Sequence, residues 1–185
     1  DHLGLRAEYL ALKATLRLAQ RRPTEATALF EEAERIAVRG DFPGAGELTA
    51  RIRIAHAHAL EMMSEFEAAA ALLQTALVGS PQASSTGELS TRLRWMVLQN
   101  LADYLSKAGR CEEAGQVLAE LDQVGAELTL PEIDSLRAQW VRARVEVRRA
   151  WHTGADTLKA VRERLLELGL VYDAAVASLE LAEWH

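Results

Sequence analysis

His56 and His58, in the stretch AHAHALEMM, are the residues whose types and spacing come closest to a metal site. Imidazole nitrogens bind zinc and other transition metals, but two side chains at positions i and i+2 of a helix point about 200° apart. His58 shares a helix face with Glu61, and Glu65 follows one turn later. A shared metal would need both histidines on one side. We therefore expect no metal site, with His56 partly buried between helices and His58 on an exposed side.

The remaining reactive residues show no catalytic arrangement. The chain contains no glycine-rich phosphate-binding motif, no G-x-S-x-G nucleophile motif and no H-E-x-x-H metalloprotease motif. Its single cysteine, Cys111, has only Arg110 beside it as an activating charge, so we interpret it as a packing residue. The sequence therefore predicts a protein that is not an enzyme and that uses no cofactor.

Composition limits the fold and the partners. Hydrophobic residues make up 49% of the chain and aromatic residues only 5%, so the apolar content is mostly Ala, Leu and Val, which indicates an all-helical protein. A net charge of −6 argues against direct binding of nucleic acid. One cysteine fits a reducing compartment, and no stretch approaches the roughly 20 apolar residues of a membrane span. We therefore expect a cytoplasmic location and no membrane partner.

A short apolar pattern recurs along the chain. A small residue is followed four positions later by a larger apolar residue and three positions after that by another small or apolar residue, and these steps place all three on one stripe of a helix. The three triplets are Ala26–Phe30–Ala33, Ala69–Leu73–Ala76 and Ala114–Leu118–Leu121. Successive triplets start 43 and 45 residues apart. The sequence therefore predicts a repeated unit of helix A, short turn, helix B and longer loop, with the small side chains of 68–71 packed against neighbouring helices.

The best-formed unit is WMVLQNLADYLSKAGRCEEAGQVLAELDQVG, which begins at Trp95. Gly109 supplies its turn, Cys111, Ala114 and Leu118 continue into helix B, and the apolar stripe of helix A is formed by Leu98, Leu101, Ala102 and Leu105. This unit resembles the tetratricopeptide repeat. The resemblance implies an all-α fold, a right-handed superhelix of antiparallel helix pairs known as an α-solenoid. The period exceeds the roughly 34 residues of that family, and the excess falls in loops such as RGDFPGAGE. Long-period repeats of this kind resemble those of bacterial regulatory and signalling proteins.

The repeat divides the chain into units. We predict one domain of four helix pairs at residues 3–40, 47–82, 87–126 and 131–168, with a partial unit or capping helix at 171–185, and we expect it to be part of a longer chain. The helices are predicted at about 3–20, 24–39, 47–63, 65–78, 87–107, 111–124, 131–151, 155–168 and 171–184. Ser64, Ser85, Thr129 and Thr153 each precede an acidic residue by three positions, which predicts helix N-caps at these residues.

The resemblance also implies a binding surface, because the A helices of a tetratricopeptide-like solenoid line its concave groove. Arginine is concentrated in the predicted A helices and acidic residues in the B helices. The candidate groove residues are Arg51, His58, Glu61, Met62, Gln99, Asp103, Lys107, Arg144, Arg148 and His152. We expect them to bind a protein or an acidic peptide through charge-assisted hydrogen bonds. The alternative is a solvated face on which arginine stems cover apolar surface.

Four functions remain open. The leading hypothesis is a non-enzymatic module, a scaffold or sensor, that binds a protein or peptide within a bacterial regulator. The alternatives are the small-molecule-sensing domain of a transcription regulator and a segment that recruits substrate to an enzyme whose catalytic domain lies elsewhere. The fourth is self-association through 171–185, where Ala174, Leu181 and Trp184 lie on one stripe.

Overall fold

A computed structural model describes residues 2–78, 89–149 and 151–183, except for the side chains of residues 151–153. Every regular element in these residues is an α-helix, which confirms the predicted all-α fold. In chain order the helices are α1 (His2–Ala19), α2 (Pro23–Arg39), α3 (Ala45–Met62), α4 (Phe66–Val78), α5 (Thr91–Lys107), α6 (Cys111–Gly125), α7 (Glu132–Arg149), α8 (Trp151–Glu167) and α9 (Val171–Glu183).

Each helix packs against the next helix along the chain. In addition, α1 contacts α3, α3 contacts α5 and α5 contacts α7. The helices α1, α3, α5 and α7 therefore form a continuous layer, and each of α2, α4 and α6 lies between two of them. This order is consistent with a helical repeat in which α1, α3, α5 and α7 are the first helices of four pairs.

The repeated triplets supply the core between the helices. All nine residues of the three triplets are at most 4% exposed, as their position on one helical stripe predicts. The alanine run in α4 is divided, however. Ala69 and Ala70 are fully buried, whereas Ala68 and Ala71 are exposed, because only part of a helix faces its neighbours. Close helix packing therefore explains two of the four alanines, and the prediction for the other two is wrong.

The turns between α1 and α2, α3 and α4, and α5 and α6 share one backbone geometry. Arg21, Ser64 and Gly109 have φ values of 59°, 61° and 81°. After Ser64, the Glu65 amide donates to the Leu60 carbonyl oxygen over 2.9 Å, a bond that closes the end of a helix. Ser64 therefore ends α3 and does not cap α4, so the N-cap prediction there is wrong.

Two of the other three predicted N-caps are also wrong, and the third, at Ser85, lies outside the described residues. Thr129 lies three residues before the start of α7, and Thr153 lies inside α8. The helix α8 begins at Trp151, four residues before the predicted position 155, and it includes Gly154. A Cβ atom at Gly154 would lie 2.3 Å from the backbone nitrogen of Val147, so glycine here allows α7 and α8 to approach closely.

The start predicted for the helix that follows α4 is also wrong. The helix α5 begins at Thr91 and not at 87, since Leu89 and Ser90 precede it without helical structure. Residues 79–88, which include most of the loop predicted between the second and third helix pairs, lie outside the described residues.

The helix α9 completes the last part of the core. Ala174, Ala177 and Leu181 pack in one cluster with Leu136 of α7 and Leu158 of α8. The prediction that Ala174 and Leu181 form an exposed stripe for self-association is therefore wrong, because α7 and α8 cover them. Trp184 lies outside the described residues.

Candidate functional site

Arginine residues of the A helices and acidic residues of the B helices mainly form ion pairs between adjacent helices, and these pairs explain why the two charges are found on different helices. Arg53 of α3 donates from Nε to Glu34 of α2 over 2.7 Å, and both side chains are largely buried. Other pairs of this kind are Arg6–Glu32, Arg94–Glu120, Arg142–Asp122 and Arg149–Glu112. Most of these are exposed, where an ion pair contributes about 0–1 kcal/mol. Much of the charge pattern therefore serves contacts within the fold.

A second set of charges forms a connected network across α3, α5, α7 and α9. We call it the polar row and define it as Glu61, Asp103, Tyr104, Lys107, Arg144 and Glu180. Its first centre is the Glu61 carboxylate, which accepts hydrogen bonds from Lys107, from His58 Nδ1 over 2.9 Å and from the Tyr104 hydroxyl over 3.3 Å. Glu61 thus joins α3 to α5.

The second centre is Arg144 of α7. Its Nη1 donates to Asp103 of α5 over 3.1 Å, and its Nε donates to Glu180 of α9 over 2.8 Å. Lys107 bonds the other Asp103 oxygen over 2.7 Å, and Trp140 Nε1 donates to Glu180 over 2.7 Å. The Arg144 guanidinium also lies 4.6 Å from the centroid of the Trp140 ring, within the range of a cation–π contact. The row therefore continues without a break from α3 to α9.

The protonation states follow from these contacts. Burial by itself would raise the pKa of Glu61, but the hydrogen bond from His58 and the charge of Lys107 lower it to about 2. Burial also opposes the charge on Arg144, yet Asp103 and Glu180 outweigh it and raise the Arg144 pKa above its ordinary value. Burial, with the charges of Glu61 and Asp103, raises the Tyr104 pKa, so its hydroxyl stays protonated and donates.

Arg148 lies one helical turn beyond Arg144 and differs from it in its partners. Its Nη1 donates to the Ser106 hydroxyl over 2.8 Å, and Ser106 is almost fully buried. Within the described part of the chain, Arg148 has no carboxylate partner. The Arg148 side chain is half-buried, and its guanidinium hydrogen-bonds a hydroxyl that carries no charge.

Six of the ten predicted groove residues therefore come together: His58, Glu61, Asp103, Lys107, Arg144 and Arg148. Arg51 lies apart, pairs with Glu47 on its own helix and lines a separate cleft between α1 and α3. Met62 packs against the core that surrounds α2, and Gln99 is half-buried on α5. His152 belongs to α8, but its side chain lies outside the described residues.

Sequence reasoning missed Tyr104 and Glu180, which are members of the polar row, and Trp140, which donates to Glu180. Tyr104 lies next to the predicted apolar stripe of Leu101, Ala102 and Leu105, and an aromatic residue at this place was a usable signal. Glu180 lies 36 residues from Arg144 and Trp140 lies 40 residues from Glu180, so only the helix packing reveals their contacts.

The two histidines of the AHAHALEMM stretch lie in different environments. His56 is buried and stacks on Phe30 with 5.9 Å between ring centroids, and neither ring nitrogen has a hydrogen-bond partner. His58 is exposed and bonds Glu61. Among the described residues, no group of three or more His, Cys, Asp and Glu side chains is arranged to hold a metal ion. The same residues include no helix that is long and apolar enough to cross a bilayer.

Comparison of the chain with protein-family models, with curated proteins and with solved structures gives no significant match. The tetratricopeptide resemblance therefore remains a prediction from the residues themselves.

Proposed function

We propose that this chain is a non-enzymatic interaction module in which tetratricopeptide-like helix pairs form a right-handed superhelix. In this proposal the face that carries the polar row binds a protein or peptide segment, and the module acts as a scaffold or sensor within a bacterial regulator. The observation that carries the proposal is the row itself, which extends across four helices at half-buried positions. A row of fixed donors and acceptors suits an extended ligand because its groups are already oriented before binding.

The polar row narrows the chemistry of the ligand. Arg144 is engaged by two carboxylates, so a ligand would have to displace one of them to reach it. Among the described residues Arg148 bonds only Ser106, so it gains more than Arg144 from an incoming carboxylate. A charge-assisted hydrogen bond of this kind contributes roughly 1.5–3 kcal/mol. We therefore assign Arg148 as the anchor for an acidic side chain or terminal carboxylate of the ligand.

Selection from a phage-displayed library of random dodecapeptides tests the proposal. We expect the chain to enrich peptides with a shared carboxylate, and Arg148→Glu to weaken their binding by about tenfold or more. The matched control is Arg142→Glu, since Arg142 lies on the same helix but pairs with Asp122 of α6. Circular dichroism establishes that both variants stay folded. Enrichment of no peptide, or equal weakening by both substitutions, would refute the assignment of this surface.

A further inference from the structure

The first helix exposes an apolar stripe. Leu5, Tyr9, Leu12 and Leu16 are 65%, 63%, 71% and 55% exposed, although all four are large apolar side chains. Their spacing of four, three and four residues places them on one line along the helix. The opposite face of α1, which carries Ala7, Leu10 and Ala14, is buried in the core shared with α2.

The same helix face is buried in the next pair. The left-handed turn residues Arg21 and Ser64 are 43 positions apart, which sets the register between α1 and α3. In this register the stripe corresponds to Leu48, Ile52, Ala55 and Ala59 of α3. These four residues belong to the core cluster that contains Phe30 and Ala33 of α2. In α3, therefore, the helix of the preceding pair covers this face.

The third pair repeats the arrangement. The turn residues Ser64 and Gly109 are 45 positions apart, so Ile52 and Ala59 correspond to Val97 and Tyr104 of α5. Val97 and Tyr104 lie in one cluster with Ala69, Ala70, Leu73 and Ala76 of α4. In both α3 and α5, therefore, the helix that covers this face is a B helix that presents small side chains and one larger apolar residue.

We propose that the α1 stripe, Leu5–Tyr9–Leu12–Leu16, is a docking surface for an amphipathic helix of the α2 and α4 type that a partner protein supplies. The equivalent faces of α3 and α5 already bind such helices, and this equivalence supports the choice of occupant. This surface uses no residue of the polar row, so the inference stands independently of the proposed function.

A synthetic helix tests the surface directly. The probe is a fluorescent peptide of residues 22–40, the α2 segment, held helical by a lactam between Glu31 and an Arg35→Lys side chain on its exposed face. We expect saturable binding to the full chain that Leu12→Glu weakens by about tenfold or more. Leu179→Glu on α9 is the control, because Leu179 is equally exposed but lies on another helix. Equal binding to both variants, or binding to neither, would overturn the proposal.

A second experiment places the docking helix in the same chain, so that its binding does not depend on the affinity of a free peptide. A further copy of residues 2–44 is placed before residue 2, so that α1 follows the same hairpin and loop that α3 follows. With Cys111→Ser as the background, we expect a Leu12→Cys thiol in the original α1 to react with maleimide about tenfold or more slowly in the longer chain. An unchanged rate would contradict a helix-binding surface.

The remaining occupants give different results. If the chain without the extra copy forms dimers in sedimentation and Leu12→Glu abolishes them, the occupant is a second copy of the chain and the proposal fails. If phosphatidylcholine vesicles slow the thiol reaction in the same chain, the surface binds lipid and the proposal likewise fails.

Discussion

Replacing Arg144 by methionine should destabilise the fold by about 2–3 kcal/mol. Removal of one partner from a buried ion pair costs roughly 3–5 kcal/mol when the remaining charge is left uncompensated. Here both carboxylates retain a hydrogen-bond donor. Lys107 still donates to Asp103 over 2.7 Å, and the Trp140 indole still donates to Glu180 over 2.7 Å. Loss of the cation–π contact adds part of the cost. The expected value therefore lies below the full penalty but well above that of a surface pair.

The assay compares Arg144→Met with Arg142→Met by urea unfolding and by thermal melting. Arg142 is two residues away on the same helix and pairs with Asp122 at an exposed position, so its loss should cost about 0–1 kcal/mol. For a chain of this size, 2–3 kcal/mol corresponds to a decrease in Tm of roughly 5–10 °C. If Arg144→Met is no more destabilising than Arg142→Met, the polar row is not a buried network and the reasoning is refuted.

Three further predictions concern His56, Gly154 and Glu61. Burial lowers the pKa of His56 against the opposing charges of nearby glutamates, so the wild type should lose stability as pH falls below about 6.5, and His56→Phe should reduce that loss in urea titrations. Gly154→Ala should cost about 1–3 kcal/mol through the clash with α7, whereas Gly115→Ala, which meets only a flexible arginine end, should be neutral or stabilising. Glu61 contributes stability above its unfolded pKa of about 4.5 that is lost as pH falls towards 2, and Glu61→Gln should flatten this part of the acid-unfolding curve.

Helix positions and the core stripes were predictable from the sequence because they follow local periodicity. The buried triplets and the turn at Gly109 need only steps of three and four residues and one left-handed glycine. The turns at Arg21 and Ser64 were not recognised as left-handed, because neither residue type favours that backbone region. Local patterns also misplaced the start of α8. Gly154 looks like a residue outside a helix, but it lies inside α8 because it allows close contact with α7.

The candidate site was predictable only in outline. Outward positions on the A helices selected six residues that do come together, but their partners could not be derived from spacing. Lys107 bonds Glu61 at a separation of 46 residues, and Arg144 bonds Asp103 at 41. Such contacts depend on the relative rotation of helices in different pairs. Sequence reasoning therefore treated Arg144 as free for a ligand, whereas the fold already engages it, and Arg148 is the arginine that keeps capacity for binding.

Burying the charged side chains of the polar row costs more desolvation free energy than burying an apolar contact of the same size would. Buried ion pairs can often be replaced by apolar groups without loss of stability, because desolvation offsets the attraction between the charges. We therefore expect the triple variant Asp103→Leu, Arg144→Met and Glu180→Gln to unfold within about 1 kcal/mol of the wild type, although Arg144→Met alone is destabilising. The glutamine keeps an acceptor for Trp140. If the row orients the binding face, this stable variant should bind the selected peptides more weakly. A triple variant that binds them as tightly as the wild type would make the row a structural feature alone and leave Arg148 as the site of recognition.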